Sequence, residues 1–170
     1  MRELLFLVGL PFSGKTMQGR RLAAHLGISF WDTDEEICRR QGMNSVSEIF
    51  VRFGETYFRE QEKILLKEEL DLSSRMVVST GGGTPCFFDL MSWMNQHGST
   101  FYLELDWQEM QLRASSQDGE KRPLWEALEQ KTEAELLDFF GPRITIYQKA
   151  HVRVKMGWDI CGVYDRLIQS

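Results

Sequence analysis

The sequence of 170 residues has few cysteines and no long apolar run. Its three cysteines, Cys38, Cys86 and Cys161, are widely spaced and form no CxxC or Cys/His motif, so they suggest neither a disulfide framework nor a zinc site. We expect them to be buried as small hydrophobic residues. No apolar run approaches the ~18 residues of a membrane span, and the first run, Leu4 to Val8, is too short for a signal peptide. We therefore expect a cytoplasmic protein with no membrane partner.

The sequence also has no excess of positive charge. It contains 20 Lys and Arg residues and 25 Asp and Glu residues, which gives a net charge of −5. A protein that coats nucleic acid needs clustered positive charge, so we expect no nucleic-acid partner. An anionic ligand would have to be held by positive charge concentrated in one place. The composition, 42% hydrophobic and 26% charged, is ordinary for a globular protein, and the length predicts a single domain over residues 1–170.

Apolar runs alternate with amphipathic segments, which predicts an α/β fold with a parallel sheet. The predicted strands cover residues 4–8, 28–31, 76–80, 101–105 and 151–154. The predicted helices cover residues 15–26, about 35–72 with breaks near Gly42 and Gly54, 87–97, 124–149 with a break near Gly141-Pro142, and 159–169. Residues 115–122 are polar and predict a mobile loop.

A glycine-rich segment follows the first predicted strand. Residues Gly9 to Thr16, GLPFSGKT, match the pattern GxxxxGK[ST] and precede an amphipathic helix. Glycines let backbone N–H groups point at phosphate oxygens, and the helix N-terminus adds partial positive charge. Lys15 is predicted to reach the β- and γ-phosphates, and the Thr16 hydroxyl to bind Mg²⁺. The alternative is a glycine-rich turn with an incidental lysine.

Asp32 and Asp34 follow the second predicted strand. Alternation would place both side chains on one face, at the carboxyl end of the strand, where open α/β sheets bind ligands. One carboxylate could hold Mg²⁺, and the other could accept a hydroxyl proton or hydrogen-bond an alcohol. The alternative is two solvated aspartates, one of which caps the next helix.

Gly81, Gly82 and Gly83 directly follow the third predicted strand. Three glycines cost chain entropy, so we expect a ligand to approach the backbone closely here; a plain turn is the alternative. Arg59 and Arg143 lie on predicted helices, and the planar guanidinium suits bidentate binding of a carboxylate.

Two further arginines flank the predicted loop. Arg122 ends it, where a lid could bring positive charge to a transferring phosphate, and Arg113 precedes it and could lie near a nucleotide. For each of the four arginines, the two on predicted helices and the two that flank the loop, the alternative interpretation is a solvated helix residue without a ligand. The histidines, His25, His97 and His151, join no catalytic triad, and we expect structural roles for them.

Together these motifs resemble those of the shikimate kinase family. In the family's order the chain has the phosphate-binding loop, Asp32-Thr33-Asp34, Phe58-Arg59-Glu60-Gln61-Glu62, the triple glycine, Arg122-Pro123-Leu124 and Arg143-x-x-x-Tyr147-x-x-Ala150. The loop alone is common to many families, whereas the combination is close to diagnostic of this one. The resemblance implies a three-layer α/β/α P-loop kinase fold, as in nucleoside monophosphate kinases, with a five-stranded parallel sheet. It also implies a lid loop at about 113–124 and a substrate-binding helical region at about 35–62.

The resemblance further implies transfer of the γ-phosphoryl group of ATP, with Mg²⁺, to the 3-hydroxyl of shikimate, on the route to chorismate and the aromatic amino acids. Asp34 would bind the ring hydroxyls and act as the base, and Asp32 would join Thr16 around Mg²⁺. Arg122 would be the lid arginine, and we expect a monomer.

The residues implied by the resemblance fall into three groups. The catalytic residues are Lys15, Asp34 and Arg122. The nucleotide-binding residues are Gly9, Pro11, Phe12, Ser13, Gly14, Lys15, Thr16, Met17, Arg113 and Arg122. The substrate-binding residues are Asp34, Phe50, Phe58, Arg59, Gly81, Gly82, Gly83, Arg122 and Arg143.

Some residues depart from the family's pattern. Phe12 stands where glycine is usual, and it would strain the loop by ~1–2 kcal/mol if the position needs a positive φ. Met17 replaces a small hydroxyl residue, Trp125 a leucine and His151 an aspartate. Two other functions stay open: another P-loop small-molecule kinase, for gluconate or a nucleotide, and a non-catalytic nucleotide-binding relative, which only Phe12 favours.

Overall fold

The computed structural model describes residues 4–116 and 132–169. The strands are β1 (Leu4–Val8), β2 (Ser29–Asp32), β3 (Met76–Ser79), β4 (Ser99–Leu103) and β5 (Val152–Val154). The helices are α1 (Lys15–Leu26), α2 (Thr33–Gln41), α3 (Val46–Ile64), α4 (Leu90–His97), α5 (Trp107–Ser116), α6 (Glu133–Tyr147) and α7 (Ile160–Ile168). A π-helical turn (Leu65–Glu69) extends α3, and a 3₁₀ turn (Thr84–Cys86) lies between β3 and α4.

The five strands form one parallel sheet in the order β2-β3-β1-β4-β5, which confirms the predicted fold class. All residues of the central strand β1 are buried. Leu4, Phe6 and Val8 face an apolar cluster shared with α4 and α6, whereas Leu5 and Leu7 face one shared with α1 and α7. Because helices cover both faces, the protein has three layers, and each buried Leu or Phe side chain contributes about 1.5–3 kcal/mol.

A third apolar cluster holds α2 and α3 together beside the sheet. It contains Ile37, Ile49 and Phe58, together with Leu65 of the π-helical turn. Helix α2 ends at Gly42, where φ is 63°, and α3 is interrupted at Gly54, where φ is 83°. The two predicted breaks are thereby confirmed.

Helix α5 is the element that the sequence reading missed. It begins after Asp106, whose carboxylate accepts a hydrogen bond of 2.8 Å from the Glu109 N–H, and it continues to Ser116. The predicted mobile loop is therefore wrong for residues 115 and 116, which are helical. Residues 117–122 of that loop, among them Arg122, lie outside the described residues, as do Pro123, Leu124 and Trp125.

Several predicted bounds and one predicted break also differ from the structure. Strand β4 covers Ser99–Leu103 rather than 101–105, because Thr100 and Phe101 pair with Phe6 and Leu7 of β1. The predicted break at Gly141-Pro142 is wrong, because α6 passes through Pro142 without interruption. No helix within 4–116 or 132–169 is both long and apolar enough to span a membrane.

Candidate active site

The phosphate-binding loop joins the end of β1 to the start of α1. Gly9 has a φ of 148°, and a Cβ atom there would lie 2.7 Å from the carbonyl oxygen of Leu103. Gly14 has a φ of 84° at the N-terminus of α1. Both glycines are thus required by the backbone path. Lys15 is buried, and its Nζ donates to the carbonyl oxygens of Gly9 (2.9 Å) and Leu10 (2.8 Å), so the loop wraps around its positive charge.

Phe12 adopts the left-handed conformation, with a φ of 65°. The position therefore needs a positive φ, which costs a side-chain residue ~1–2 kcal/mol. The Phe12 ring packs against the apolar cluster between the sheet and α6, and the Phe12 carbonyl accepts a hydrogen bond of 3.2 Å from Arg113 Nη1. Arg113 in turn donates from Nε to Glu109, at 2.6 Å. These contacts offset the strain and fix the loop to α5.

A cleft lies beside the loop, between α1 and the segment that follows β5. Arg113 and Met17 line this cleft together with Ser13, and residues 155–158 form its opposite wall. Met17 is 65% exposed, whereas Ser13 is buried. The structure therefore brings three of the predicted nucleotide-binding residues to one cleft at the edge of the phosphate-binding loop.

Asp32 links the loop to α2. Its Oδ2 accepts a hydrogen bond of 2.7 Å from the Thr16 hydroxyl, and its Oδ1 accepts from the N–H groups of Asp34 (3.1 Å) and Glu35 (3.2 Å). Asp32 is thus the N-cap of α2 and a neighbour of Thr16 at the same time, so the predicted cap is found on a buried rather than a solvated aspartate. The strand-like alternation predicted for Asp32 and Asp34 is wrong, because β2 ends at Asp32 and Asp34 lies in the first turn of α2.

The triple glycine has no room for side chains. A Cβ at Gly81 would lie 2.5 Å from Asp34 Oδ1, and one at Gly82 would lie 3.0 Å from Pro11 Cδ of the phosphate-binding loop. A Cβ at Gly83 would lie 2.6 Å from Arg59 Cζ. The bare backbone therefore lets the loop, α2 and α3 converge on one short segment.

The amide N–H groups of this segment differ in their partners. Gly81 N–H donates to the Thr33 hydroxyl at 3.1 Å. The N–H groups of Gly82 and Gly83 donate to no group in residues 4–116 and 132–169. Because Gly83 is buried and a buried N–H normally has a partner, these two donors are suited to a ligand.

Arg59 is buried, and it forms ion pairs with one glutamate before it and one after it on α3. Its Nη1 donates to Glu62 at 2.7 Å, and its Nε and Nη2 donate to Glu55 at 3.1 and 2.8 Å. Its guanidinium lies 4.7 Å from the ring centroid of Phe87. The sequence reading gave no role to Glu55, Glu62 or Phe87, although the i,i+4 and i,i+3 spacing of the glutamates from Arg59 was a usable signal.

Glu62 is a fully buried carboxylate. Burial raises its pKa, and the positive charge of Arg59 opposes that rise. The hydroxyl of Thr84 also donates to Glu62. Since the ion pair and this hydrogen bond satisfy the carboxylate, Glu62 holds Arg59 in a fixed position beside the triple glycine.

Phe50 and Phe58 form the apolar side of this region. Their ring centroids are 5.2 Å apart in an edge-to-face arrangement. The Arg59 guanidinium lies 5.8 Å from the ring centroid of Phe50 and 5.5 Å from that of Phe58. Phe58 is 1% exposed, so only the half-buried Phe50 has a surface left for a ligand.

Arg143 lies on α6, above the rings of Phe139 (4.8 Å) and Phe140 (5.5 Å). Its guanidinium forms no ion pair or hydrogen bond with any residue that the structure describes. One turn later, the hydroxyl of the buried Tyr147 donates to the Gly82 carbonyl. Helix α6 is therefore tied to the triple glycine, a connection that the sequence reading missed.

The cysteines are free, and their predicted burial is confirmed for Cys161 only. Cys38 and Cys86 are partly buried, because each lies at the edge of an apolar cluster rather than inside it. Burial raises the pKa of the Cys86 thiol, while the charges of Arg143 and Arg59 oppose the rise.

Comparison with known proteins gives one consistent result. The sequence model of the family described as "Shikimate kinase" matches residues 11–157. The shikimate kinase of Bacteroides fragilis is 42% identical over 137 residues, which are 79% of this chain and 72% of the relative, and that of Aquifex aeolicus is 34% identical over 151 residues, 89% and 85% of the two chains.

Solved structures agree with the sequence comparison. The shikimate kinase of Bacteroides thetaiotaomicron superposes with a TM-score of 0.80 at 31% identity and covers 99% of this chain and 98% of its own. The shikimate kinase of Acinetobacter baumannii, solved in complex with shikimate, has a TM-score of 0.80 at 29% identity. The match covers 99% of this chain and 92% of that protein. The loop, the paired aspartates and the triple glycine lie in one site, and the family model matches most of this chain. The chain therefore belongs to the shikimate kinase family.

Proposed function

We propose that the protein is a shikimate kinase, which transfers the γ-phosphoryl group of ATP to the 3-hydroxyl of shikimate and releases ADP. The observation that carries the proposal is the contact between Gly82 and Pro11, where a Cβ would lie 3.0 Å from the proline ring. It joins a segment with two available N–H donors to a phosphate-binding loop. Donor and acceptor sites are thus adjacent, as phosphoryl transfer requires.

On the donor side, the backbone of Gly9 to Thr16 and the N-terminus of α1 would hold the phosphates of ATP. The Lys15 ammonium would leave its loop carbonyls to contact the β- and γ-phosphates. The cleft lined by Arg113 and Met17 is proposed for the rest of the nucleotide. Arg122, outside the described residues, is proposed as the lid arginine.

The chemistry of Thr16 and Asp32 fits Mg²⁺. Their hydroxyl and carboxylate oxygens lie 2.7 Å apart, and both are the hard oxygen ligands that this ion prefers. The described residues contain no cluster of three metal-binding side chains, which agrees with an ion that completes its shell with phosphates and water. When bound, Mg²⁺ would neutralise charge on the phosphates.

On the acceptor side, Arg59 and Arg143 would bind the carboxylate of shikimate together with the N–H groups of Gly82 and Gly83. Arg59 still has N–H donors to offer, because its pairs with Glu55 and Glu62 use only part of its fork. Shikimate has one carboxylate and three hydroxyls. Its ring would lie against Phe50, which packs edge-to-face on the buried Phe58.

Asp34 would orient the 3-hydroxyl and accept its proton. The hydroxyl oxygen then bonds to the γ-phosphorus as the bond from that phosphorus to the bridging oxygen of ADP breaks. Lys15 and Arg122 would stabilise the charge on the transferred group. Two observations support this role. The carboxylate of Asp34 lies against Gly81 of the triple glycine. Asp34 also lies on α2, whose N-cap Asp32 is hydrogen-bonded to Thr16 of the phosphate-binding loop.

We propose that residues 1–170 act as one domain, with a substrate-binding region at about 35–62 and a lid within 113–124 that begins after the end of α5. We also propose that the protein works as a cytoplasmic monomer, without nucleic-acid or membrane partners.

The test is ADP release by the purified protein with ATP and Mg²⁺, measured side by side with shikimate, gluconate and AMP. We expect ADP release that depends on shikimate alone. Release that depends on gluconate or AMP instead would assign another kinase function, and ADP binding without transfer to any acceptor would indicate a non-catalytic relative.

A further inference from the structure

We infer that Tyr147 is a positioning residue for the carboxylate of the acceptor, and that it acts through the peptide group between Gly82 and Gly83. The inference rests on the proposed function. Tyr147 does not touch the substrate in this account. It holds the peptide whose N–H group would donate to the substrate carboxylate.

The geometry follows from the planarity of the peptide bond. The Tyr147 hydroxyl donates to the Gly82 carbonyl. In a trans peptide the C=O of one residue and the N–H of the next point in opposite directions. A hydrogen bond that fixes the Gly82 carbonyl therefore also fixes the Gly83 N–H, which faces away from Tyr147.

The Gly83 N–H is a donor suited to an anion. Gly83 is buried, and within 4–116 and 132–169 its N–H has no acceptor. The Arg59 guanidinium lies directly beside it, since a Cβ at Gly83 would approach Cζ to 2.6 Å. A positive charge and a backbone donor in one place favour a carboxylate.

A glycine–glycine peptide needs such a restraint. Glycine tolerates both signs of φ, so the peptide between Gly82 and Gly83 can rotate at little steric cost. Tyr147 is buried with 0% exposure, and burial raises the pKa of its hydroxyl well above the usual range, so it stays a neutral donor at physiological pH. The Tyr147 hydroxyl thus restrains the one carbonyl of this peptide, while backbone bonds to the Gly81 and Gly83 carbonyls restrain its neighbours.

Tyr147 also couples the position of this peptide to that of Arg143, because both residues lie on α6. The two residues are four apart on α6, so they lie one turn from each other on the same side of the helix. One rigid helix therefore sets the positions of the guanidinium and of the glycine peptide. Both groups would move together relative to Arg59 on α3.

Tyr147→Phe tests the inference because it removes the hydroxyl and keeps the ring. We expect the KM for shikimate to rise about tenfold, with the KM for ATP within about twofold of wild type. The matched control is Tyr102→Phe, which alters a buried tyrosine of the same cluster whose ring centroid is 5.5 Å from that of Tyr147. We expect both constants to be unchanged in the control.

An unchanged KM for shikimate in Tyr147→Phe, or an equal rise in both constants, would overturn the inference while leaving the proposed function intact. Wild-type protein without shikimate-dependent turnover would overturn the proposed function and the inference together. If the variant fails to fold, ¹⁵N-glycine-labelled wild-type protein provides the test. Shikimate should shift the amide signal of Gly83, and an unshifted signal under saturating shikimate would refute the inference.

Discussion

The Thr16 hydroxyl donates a hydrogen bond of 2.7 Å to the carboxylate of Asp32, and the other oxygen of that carboxylate caps α2. One side chain thus connects the first helix after the phosphate-binding loop to the helix that carries Asp34. A movement of the loop would be transmitted toward the proposed base through this carboxylate and through the ion pair of Arg20 on α1 with Glu35 on α2. The N-cap and the proposed magnesium ligand are therefore one residue, and substitutions can separate the two roles.

Asp32→Asn should keep the cap but lose the charge. Asparagine caps helices as well as aspartate, whereas alanine costs about 1 kcal/mol. We expect Asp32→Asn to be close to wild type in free energy of unfolding and Asp32→Ala to be about 1 kcal/mol less stable. Both variants should need more Mg²⁺ for half-maximal activity. Urea unfolding and Mg²⁺ titration measure the two effects.

Ser45→Ala is the control for the loss of a cap, because the Ser45 hydroxyl accepts from the Glu48 N–H at the start of α3. It should lose stability without a change in Mg²⁺ requirement. A normal Mg²⁺ requirement in both Asp32 variants would contradict the proposed metal role.

Phe12→Gly and Phe12→Ala separate backbone strain from ring packing. Both lose the contacts of the ring with the apolar cluster, but only alanine keeps a Cβ at a φ of 65°. We expect the glycine variant to be more stable than the alanine variant by about 1 kcal/mol in urea unfolding. Equal stabilities, or a more stable alanine variant, would show that the position carries no strain.

Glu36 should contribute a pH-dependent part of the stability. Hydrogen bonds from Arg39, together with those from Arg40, lower the pKa of Glu36 to about 2. Since the folded-state pKa lies below the ordinary glutamate pKa of 4.5, the contribution is present above that pH and is lost as the pH falls toward 2. The stability difference between wild type and Glu36→Gln should therefore shrink between pH 5 and pH 2. A difference that is constant with pH would contradict the ion pairs.

Asp34→Asn should abolish most of the turnover without loss of ATP binding. Removal of a general base typically costs a factor of about 10²–10⁴, so we expect a fall in kcat of at least about 100-fold. Binding of ATP, followed by calorimetry, should stay near wild type. Glu35→Gln is the control, because the neighbouring carboxylate is exposed and pairs with Arg20. Near-normal turnover of Asp34→Asn would exclude Asp34 as the base.

The sequence predicted those features that depend on local patterns. The loop from Gly9 to Thr16 has a fixed motif, and a central parallel strand such as Leu4–Val8 is apolar throughout. A cap by one of the two aspartates was predicted from residue type, and Asp32 is that cap. The breaks at Gly42 and Gly54 followed from glycine alone.

Features that depend on contacts between distant segments could not be predicted. The bond from Tyr147 to Gly82 joins residues 65 positions apart, and no pattern in either segment indicates it. The pair of Glu62 with Thr84 is of the same kind. Helix α6 tolerates Pro142 because tertiary packing of its apolar residues on the sheet outweighs the missing backbone hydrogen bond.

The most direct test of the account is the identity of the reaction product. Wild-type protein is incubated with ATP, Mg²⁺ and shikimate, and the mixture is followed by ³¹P NMR. We predict a new phosphomonoester signal, coupled to the ring proton at carbon 3 of shikimate, that grows as ADP appears. Phosphorus signals from ATP alone after prolonged incubation, or a phosphomonoester at another ring position, would contradict the account.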